Sequence, residues 1–139
     1  MFSLLKRNLP LIIIILSFVI IWSLGCCFSK TNSANAAEEE LLKTRALAVT
    51  MSIYLRNMDL IPVEMESDPQ KEINRVIKYL ETNCKLDKAF INSYHKESEG
   101  KIRVIVQLEE NPFRTVIFHK ITFLKISGRW ILVDFESDV

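Results

Sequence analysis

At 139 residues, the chain has room for one domain at most. Its formal net charge of +1 excludes the concentrated positive charge of a nucleic-acid-binding surface. Of its three cysteines, Cys26 and Cys27 fall in an apolar segment, which leaves Cys84 alone in the rest of the chain and excludes a disulfide-stapled fold.

The first part of the chain carries an export signal. An apolar run, residues 9–28, follows the cations Lys6 and Arg7. As a helix it would be about 30 Å long, enough to cross the hydrocarbon core of a bilayer. Cations on its N-terminal side predict that this end stays in the cytoplasm and that the rest lies outside. The chain therefore divides into a signal peptide or membrane anchor, a polar tether or cleavage region, and a single α+β domain: residues 1–29, 30–37 and 38–139.

Three fates of this segment remain open. Ser33 to Ala37 contains the small-x-small pattern of a signal-peptidase site, which predicts cleavage after Ala36. The length of residues 9–28 instead favours an uncleaved anchor that holds the chain in the membrane. The third fate is lipidation at Cys26, because Ser23-Leu24-Gly25-Cys26 resembles the lipobox of bacterial lipoproteins. All three predict an extracytoplasmic domain, either anchored to the cell membrane or secreted.

Two helices are predicted at the start of the domain. The first begins at Glu38-Glu39-Glu40, whose carboxylates suit the N-terminal end of a helix dipole, and ends near residues 57–59. Its buried stripe consists of Leu42, Ala46, Val49 and Ile53, and Leu41, Ala48 and Leu55 are expected to widen it. The second begins at Ser67-Asp68-Pro69 with Asp68 as its cap and ends near Asn83. Cys84 continues its apolar face, which predicts a buried, unreactive thiol.

From residue 89 onward the hydrophobic period changes to two, which predicts strands. Four strands are expected, at residues 89–96, 101–108, 114–126 and 130–135, with turns at 97–100 and 109–112. Ser127-Gly128 joins the last two strands in a tight hairpin. The predicted fold class is therefore α+β, with two N-terminal helices packed on a curved four-stranded antiparallel meander.

Apolar residues change parity along the third strand. Val116 and Phe118 share one face, Ile121 and Phe123 have the other parity, and His119-Lys120 lies between them. A β-bulge at this pair would bend the sheet and shift the later side chains by one position, and this is the interpretation that we favour. The alternative is a sheet covered on both faces, by helices on one side and a partner chain on the other.

The order of elements and the closing sequence ITFLKISGRWILVDFE resemble the nuclear transport factor 2-like, or cystatin-like, superfamily. The likeness is greatest to its small exported domains of Gram-positive bacteria. Lys125 to Trp130 and the final strand at 131–135 carry the resemblance. It implies a strongly bent sheet around the helices and a conical pocket, with residues 60–66 in the place of a third helix or extra strand. Family members use this pocket for isomerisation, dehydration or binding, so the fold does not fix the function.

The candidate catalytic residues are Asp134, His119 and Tyr54. A histidine beside a carboxylate could act as an acid or base, and the enzyme branch of the superfamily has an Asp base and a Tyr donor in its pocket. The alternative places His119 at a solvent-accessible bulge and pairs Asp134 with a nearby cation. Trp130 and Phe135 are candidates for lining a ligand pocket, and the alternative for both is the hydrophobic core.

No metal site and no cofactor are predicted. The two histidines are 24 positions apart and match no ligand spacing, and the three glycines form no phosphate-binding loop. An apolar helix before an antiparallel sheet also describes pilin-like subunits, but a glycine before Phe2 and a glutamate at the start of the apolar run are missing.

These features predict an exported, membrane-associated or secreted binding or accessory domain without catalytic activity. One alternative is a small pocket enzyme, isomerase-like or hydrolase-like, and another is a structural module that forms a homodimer through its exposed sheet face. The expected partners are an envelope protein or a small apolar ligand, together with the membrane if residues 9–28 are retained. No interaction with nucleic acid is expected.

Overall fold

The computed structural model describes residues 33–80, 84–112 and 114–138. The chain divides into two compact units, Met1–Glu39 and Glu40–Val139. Of the first unit, residues 33–39 are described, and they are helical. The predicted membrane segment at 9–28 and the lipidation candidate Cys26 lie outside the described residues. No helix within the described ranges combines the length and apolarity needed to span a membrane.

Two helices and a four-stranded antiparallel sheet confirm the predicted α+β class. The strands lie side by side in chain order, so the sheet is a meander. The elements are α1 (33–54), a 3-10 helix (Met58–Leu60), α2 (Ser67–Tyr79), β1 (Lys85–Ser98), β2 (Lys101–Asn111), β3 (Val116–Ile126) and β4 (Arg129–Ser137).

Helix α1 buries the centre of the predicted stripe, but Leu41 and Leu55, which were predicted to widen it, are 44% and 63% exposed. Leu42, Ala46, Val49 and Ile53 are all fully buried. Residues 33–37 already belong to the helix, ahead of the predicted start at Glu38, and the alanines at 34, 36 and 37 are strong helix formers. Glu38-Glu39-Glu40 therefore do not form its first turn. The helix ends at residue 54, two positions before Arg56 adopts a positive φ of 55°.

Helix α2 is shorter than predicted, and its cap is a different residue. Glu66 occupies the N-cap position without a side-chain hydrogen bond, while Asp68 lies in the first turn and pairs with Lys71 at 3.2 Å. A carboxylate is favourable there because it faces the positive end of the helix dipole. The helix ends at Tyr79, and Cys84 is buried, as predicted.

Strand β2 is longer than the sequence predicts. Residues 109–112 were expected to form a turn, but β2 continues to Asn111. Its alternating burial also continues, so that Glu110 follows Leu108 on the buried face. Side chains alternate between the two faces of a strand. Glu110 lies two positions after Leu108, so it brings a carboxylate into the interior.

No bulge interrupts β3 at His119-Lys120, so the favoured interpretation of the parity change is wrong. β3 pairs with β2 in unbroken register from Lys101↔Leu124 to Glu109↔Val116. Ile117, His119, Ile121 and Phe123 are all buried and share one face. The apparent change of parity arises because a histidine occupies a core position. The register shift of this hairpin lies in β4, where Val133 is the extra residue between the pairs Thr122↔Asp134 and Phe123↔Leu132.

Strand β1 carries three further register shifts. The extra residues are Asp87, Asn92 and Glu97, each between two regular pairs with β2. All three are polar, and they recur every five residues along an edge strand of the sheet. A β-bulge bends its strand and increases the local twist.

The opposite edge of the sheet is partly covered by the segment before α2. Met65 forms a parallel bridge with Leu132 of β4. The backbone N–H of Leu132 donates to the Glu64 carbonyl at 2.9 Å, and the N–H of Glu66 donates to the Leu132 carbonyl at 3.0 Å. Helix α2 packs on β4, and the core lies between the two helices and one face of the sheet.

Candidate functional site

Four polar side chains meet in the interior between α1 and the sheet. Thr50 and Tyr54 lie one turn apart on α1, Glu110 lies on β2 and His119 on β3. We call these four residues the Tyr54–His119 cluster. Residues four apart on a helix share a face, so α1 directs both of its members toward the sheet.

His119 is fully buried, which contradicts the solvent-accessible alternative. Its Nδ1 lies 3.1 Å from Thr50 Oγ1, and its Nε2 is buried without a hydrogen-bond partner among the described residues. Its ring stacks on that of Tyr54 at a centroid distance of 6.4 Å and meets the Phe135 ring edge-on at 5.1 Å. Burial lowers the pKa of His119 from 6.5 to about 4, because a charged imidazolium would lose its hydration. The imidazole is therefore neutral at pH 7.

Tyr54 donates its hydroxyl hydrogen bond to Glu110 Oε1. Glu110 is 8% exposed, so this phenol stabilises a carboxylate that has little contact with water. Burial, followed by the hydrogen bond to Glu110 and its negative charge, raises the pKa of Tyr54 far above 10. Tyr54 therefore remains protonated and acts only as a donor.

The structure brings two of the three catalytic candidates together and separates the third. Tyr54 and His119 are in ring contact, but Asp134 lies opposite Thr122 in the register and His119 lies opposite Ser137. Thr122 and His119 are three positions apart on β3 and so face opposite sides of the sheet. The carboxylate beside Tyr54 is instead that of Glu110.

A substrate cannot reach the imidazole of His119 in the Tyr54–His119 cluster. An acid or base must reach the proton that it transfers directly or through one water molecule. His119 has no exposed surface, and its ring is in contact with Tyr54 and Phe135. The arrangement therefore suits a buried polar network that fixes the position of α1 on the sheet.

The two predicted pocket residues have different positions. Phe135 is a core residue against His119, whereas Trp130 is buried but also borders a cavity of about 340 Å³. We call this space the Trp130 cavity. Its lining consists of Leu41, Arg45, Pro62, Val63, Glu64, Gly128, Arg129 and Trp130.

The two arginines that line the Trp130 cavity differ in their partners. Arg129 Nη1 contacts Glu64 Oε1 at 2.9 Å, which neutralises both groups. Arg45 lies half-buried on α1, and its guanidinium has no hydrogen bond or ion pair with any described residue. Half of the lining is apolar, so the cavity combines an apolar wall with one positive charge that no described residue neutralises.

Glu110, Thr50 and Arg45 were not predicted as site residues. Glu110 could have been found by extending the alternation of Ile102, Val104, Val106 and Leu108 by one more step. Thr50 lies four residues after Ala46 on the predicted buried stripe, which is a weaker signal. For Arg45 the sequence holds no signal, because residues 62–64 and 128–130 are brought to it only by the tertiary fold.

Metal ligands do not cluster in the described part of the chain. No group of three His, Cys, Asp or Glu side chains within it is arranged to hold a metal ion. When the sequence is compared with known proteins, no protein-family model matches it and no curated protein matches it significantly.

Proposed function

We propose that this chain is an exported, membrane-associated or secreted domain that binds a small ligand without catalysing a reaction. The observation that carries this proposal is the Trp130 cavity, where the guanidinium of Arg45, which has no partner among the described residues, borders an apolar wall. Small-molecule sites typically occupy about 300–1,000 Å³ and are mostly apolar with a few polar groups that orient the ligand. At about 340 Å³, the cavity suits a small molecule with an apolar body and one negative charge.

The burial of His119 and the hydrogen bond that holds the Tyr54 hydroxyl support a non-catalytic function over the enzyme alternative. Its imidazole is inaccessible, and its phenol is held by Glu110 as a hydrogen-bond donor. Asp134 lies across the sheet from both. A pocket enzyme would need at least one of these groups at the surface of a cavity that the substrate can enter.

Three probes of one shape test the proposed site. Benzoate, benzamide and benzylamine share a phenyl ring and carry a negative, a neutral and a positive group. We expect benzoate to bind the full-length protein in detergent solution more tightly than benzamide, and benzylamine to bind least. Isothermal titration calorimetry measures the three affinities under identical conditions.

Two matched arginine variants test whether Arg45 supplies the positive charge that binds benzoate. Arg45→Gln should weaken benzoate binding about tenfold or more, because a hydrogen bond to a charged group contributes about 1.5–3 kcal/mol. Arg75→Gln is the control, because Arg75 lies on α2 in an ion pair with Glu72 and does not line the cavity. Equal affinity for all three probes, or unchanged benzoate binding in Arg45→Gln, would contradict the proposal.

We also propose that the domain belongs to the superfamily that its closing hairpin resembles, and that its sheet is curved. The order of two helices followed by a four-stranded meander supports the first point. The three bulges of β1 and the one of β4 support the second, because bulges bend strands. In the expected position of an additional strand, residues 64–66 make a single bridge with β4.

A homodimer remains the second candidate, favoured by the sheet face that points away from the helices. Phe90, Val116 and Ile126 lie on this face and are 43%, 49% and 42% exposed. Light scattering of residues 33–139 at micromolar concentration separates the two candidates. A monomer that still binds benzoate supports the ligand-binding proposal, and a dimer that loses its association in Val116→Lys supports the structural module.

A further inference from the structure

A second cavity of about 350 Å³ lies between the ends of β1 and β2 and the connection to β3. Its lining is entirely polar: Asp87, Lys88, Glu109, Glu110, Asn111 and Arg114. It shares no residue with the Trp130 cavity. We call it the Arg114 cavity.

Two opposite charges of this cavity have no partner in the part of the chain that the structure describes. Lys88 and Glu109 form an ion pair at 3.7 Å. The carboxylate of Asp87 and the guanidinium of Arg114 have no hydrogen bond or ion pair with any described residue, although both line the same space.

A third charged group reaches the cavity from the interior. Glu110 is 8% exposed and lines the cavity, and its Oε1 accepts the hydrogen bond from Tyr54. Its second oxygen, Oε2, accepts no hydrogen bond from a described residue and is not among the fully buried polar atoms that lack a partner. A nearly buried carboxylate therefore has one oxygen held by the protein and one available to a ligand.

Two local backbone irregularities position Asp87 and Arg114, whose side chains are exposed. Asp87 is the extra residue of a bulge between the pairs Leu86↔Glu110 and Lys88↔Glu109. Arg114 has a φ of 55°, a left-handed conformation that is uncommon for residues other than glycine. Its N–H donates to the Glu110 carbonyl at 2.8 Å, and the Glu110 N–H donates to the Thr115 carbonyl at 3.0 Å. Such irregular backbone is frequent at ligand sites.

We propose that the Arg114 cavity binds a small zwitterion, a molecule that carries an ammonium group and a carboxylate, such as an α-amino acid. The ammonium group pairs with Asp87 and with Glu110 Oε2, and the carboxylate pairs with Arg114. Carboxylates suit the planar guanidinium because two parallel N–H···O bonds can form. A ligand with a single charge would leave either Asp87 or Arg114 unpaired.

Three probes with a six-carbon chain test this site in the full-length protein in detergent solution. Norleucine carries both charges, whereas hexanoate lacks the ammonium group and hexylamine lacks the carboxylate. We expect norleucine to bind at least tenfold more tightly than either of the others, because each charge-assisted hydrogen bond contributes about that factor. Calorimetric titrations measure all three.

Two conservative variants remove one charge each. Asp87→Asn keeps the shape of an exposed side chain, and Arg114→Asn places at this positive φ a residue that tolerates it well. Each should lower the affinity for norleucine about tenfold or more while leaving the melting temperature unchanged. Lys71→Gln is the control, because Lys71 lies on α2 and pairs with Asp68.

The outcomes are distinct. Loss of norleucine binding in both variants, but not in Lys71→Gln, supports a zwitterion site. Equal binding of hexanoate and norleucine would reduce the site to an anion contact at Arg114 and overturn the proposal. Absence of norleucine binding, or binding that persists in Arg114→Asn, would also overturn it. None of these results affects the Trp130 cavity, which Arg45→Gln tests separately.

Discussion

His119 occupies a core position of β3, on a face whose other buried residues are hydrophobic. Its neighbours are a threonine hydroxyl and two aromatic rings, which contribute no negative charge. Desolvation therefore determines its protonation, and the folded state contains a neutral imidazole. The unfolded chain exposes the same imidazole to water and binds a proton more readily.

This difference predicts a specific dependence of stability on pH. The pKa of His119 is about 4 in the folded state and 6.5 in the unfolded state, where the imidazole is hydrated. Between these values the unfolded state binds more protons, so stability falls as the pH is lowered from 6.5 to 4 and the effect is complete below 4. The contribution of this one residue is about 3 kcal/mol.

Urea unfolding of residues 33–139 at pH 7.5 and pH 4.5 measures this effect. His119→Gln keeps a hydrogen-bonding group near Thr50 but does not titrate, so it should lose most of that pH-dependent difference. His95→Gln is the matched control, because His95 is exposed on β1 and should leave the wild-type difference intact. An unchanged pH dependence in His119→Gln would contradict the assignment.

The hydrogen bond between Tyr54 and Glu110 predicts that removing the donor destabilises the domain more than neutralising the acceptor. Tyr54→Phe leaves a nearly buried carboxylate without its donor and should destabilise the domain by about 1–3 kcal/mol. Glu110→Gln keeps an acceptor oxygen for the phenol and should be less destabilising at pH 7. The free energy of unfolding of each variant and of the double variant gives the coupling energy between the side chains. Additive effects would show that the hydrogen bond contributes nothing.

At the scale of the element, β1 is an edge strand of 14 residues, long enough to pair with another chain. Unprotected edges promote association because their N–H and C=O groups lack partners. The bulges at Asp87, Asn92 and Glu97 interrupt this edge every five residues. We interpret them as protection against edge-to-edge association, in addition to the role of Asp87 in the Arg114 cavity.

Removing one bulge tests this interpretation. Deletion of Asn92 joins the pairs Ile91↔Val106 and Ser93↔Ile105 without changing the register on either side. The shortened protein should fold, with a longer regular edge, and should self-associate more than the parent in size-exclusion chromatography. Asn92→Ser keeps the extra residue and should behave like the parent. Identical elution of the deletion variant and the parent would contradict a protective role.

At the scale of the molecule, a domain with two polar or partly polar cavities follows a segment that predicts export. Alkaline phosphatase needs disulfide bonds that form outside the cytoplasm, so its fusion after Val139 reports on which side the domain lies. We expect an active fusion in a bacterial host. The same fusion without residues 9–28 should be inactive, and activity that is equally low in both would contradict export.

The sequence by itself determined the type and order of the helices and strands and the centre of their buried faces. Helical spacing predicted the stripe of Leu42 and Ile53, and alternation predicted the buried face of β2. These features follow from local periodicity, because a helix or strand with one apolar side must bury that side. The α+β class followed from the order of such elements.

The tertiary structure decided which polar residues meet. Alternation of apolar residues could not reveal that His119 belongs to the core. A polar residue between apolar ones is expected to be exposed, and nothing in the pattern distinguishes a buried histidine from an exposed one. Glu110 was placed in a turn because two glutamates and a proline weaken a strand in isolation, whereas pairing with β1 and β3 extends it. Arg45 and Arg114 face their cavities only once distant segments converge. Periodicity is a local property, but a site depends on long-range contacts, and these are absent from any single stretch of sequence.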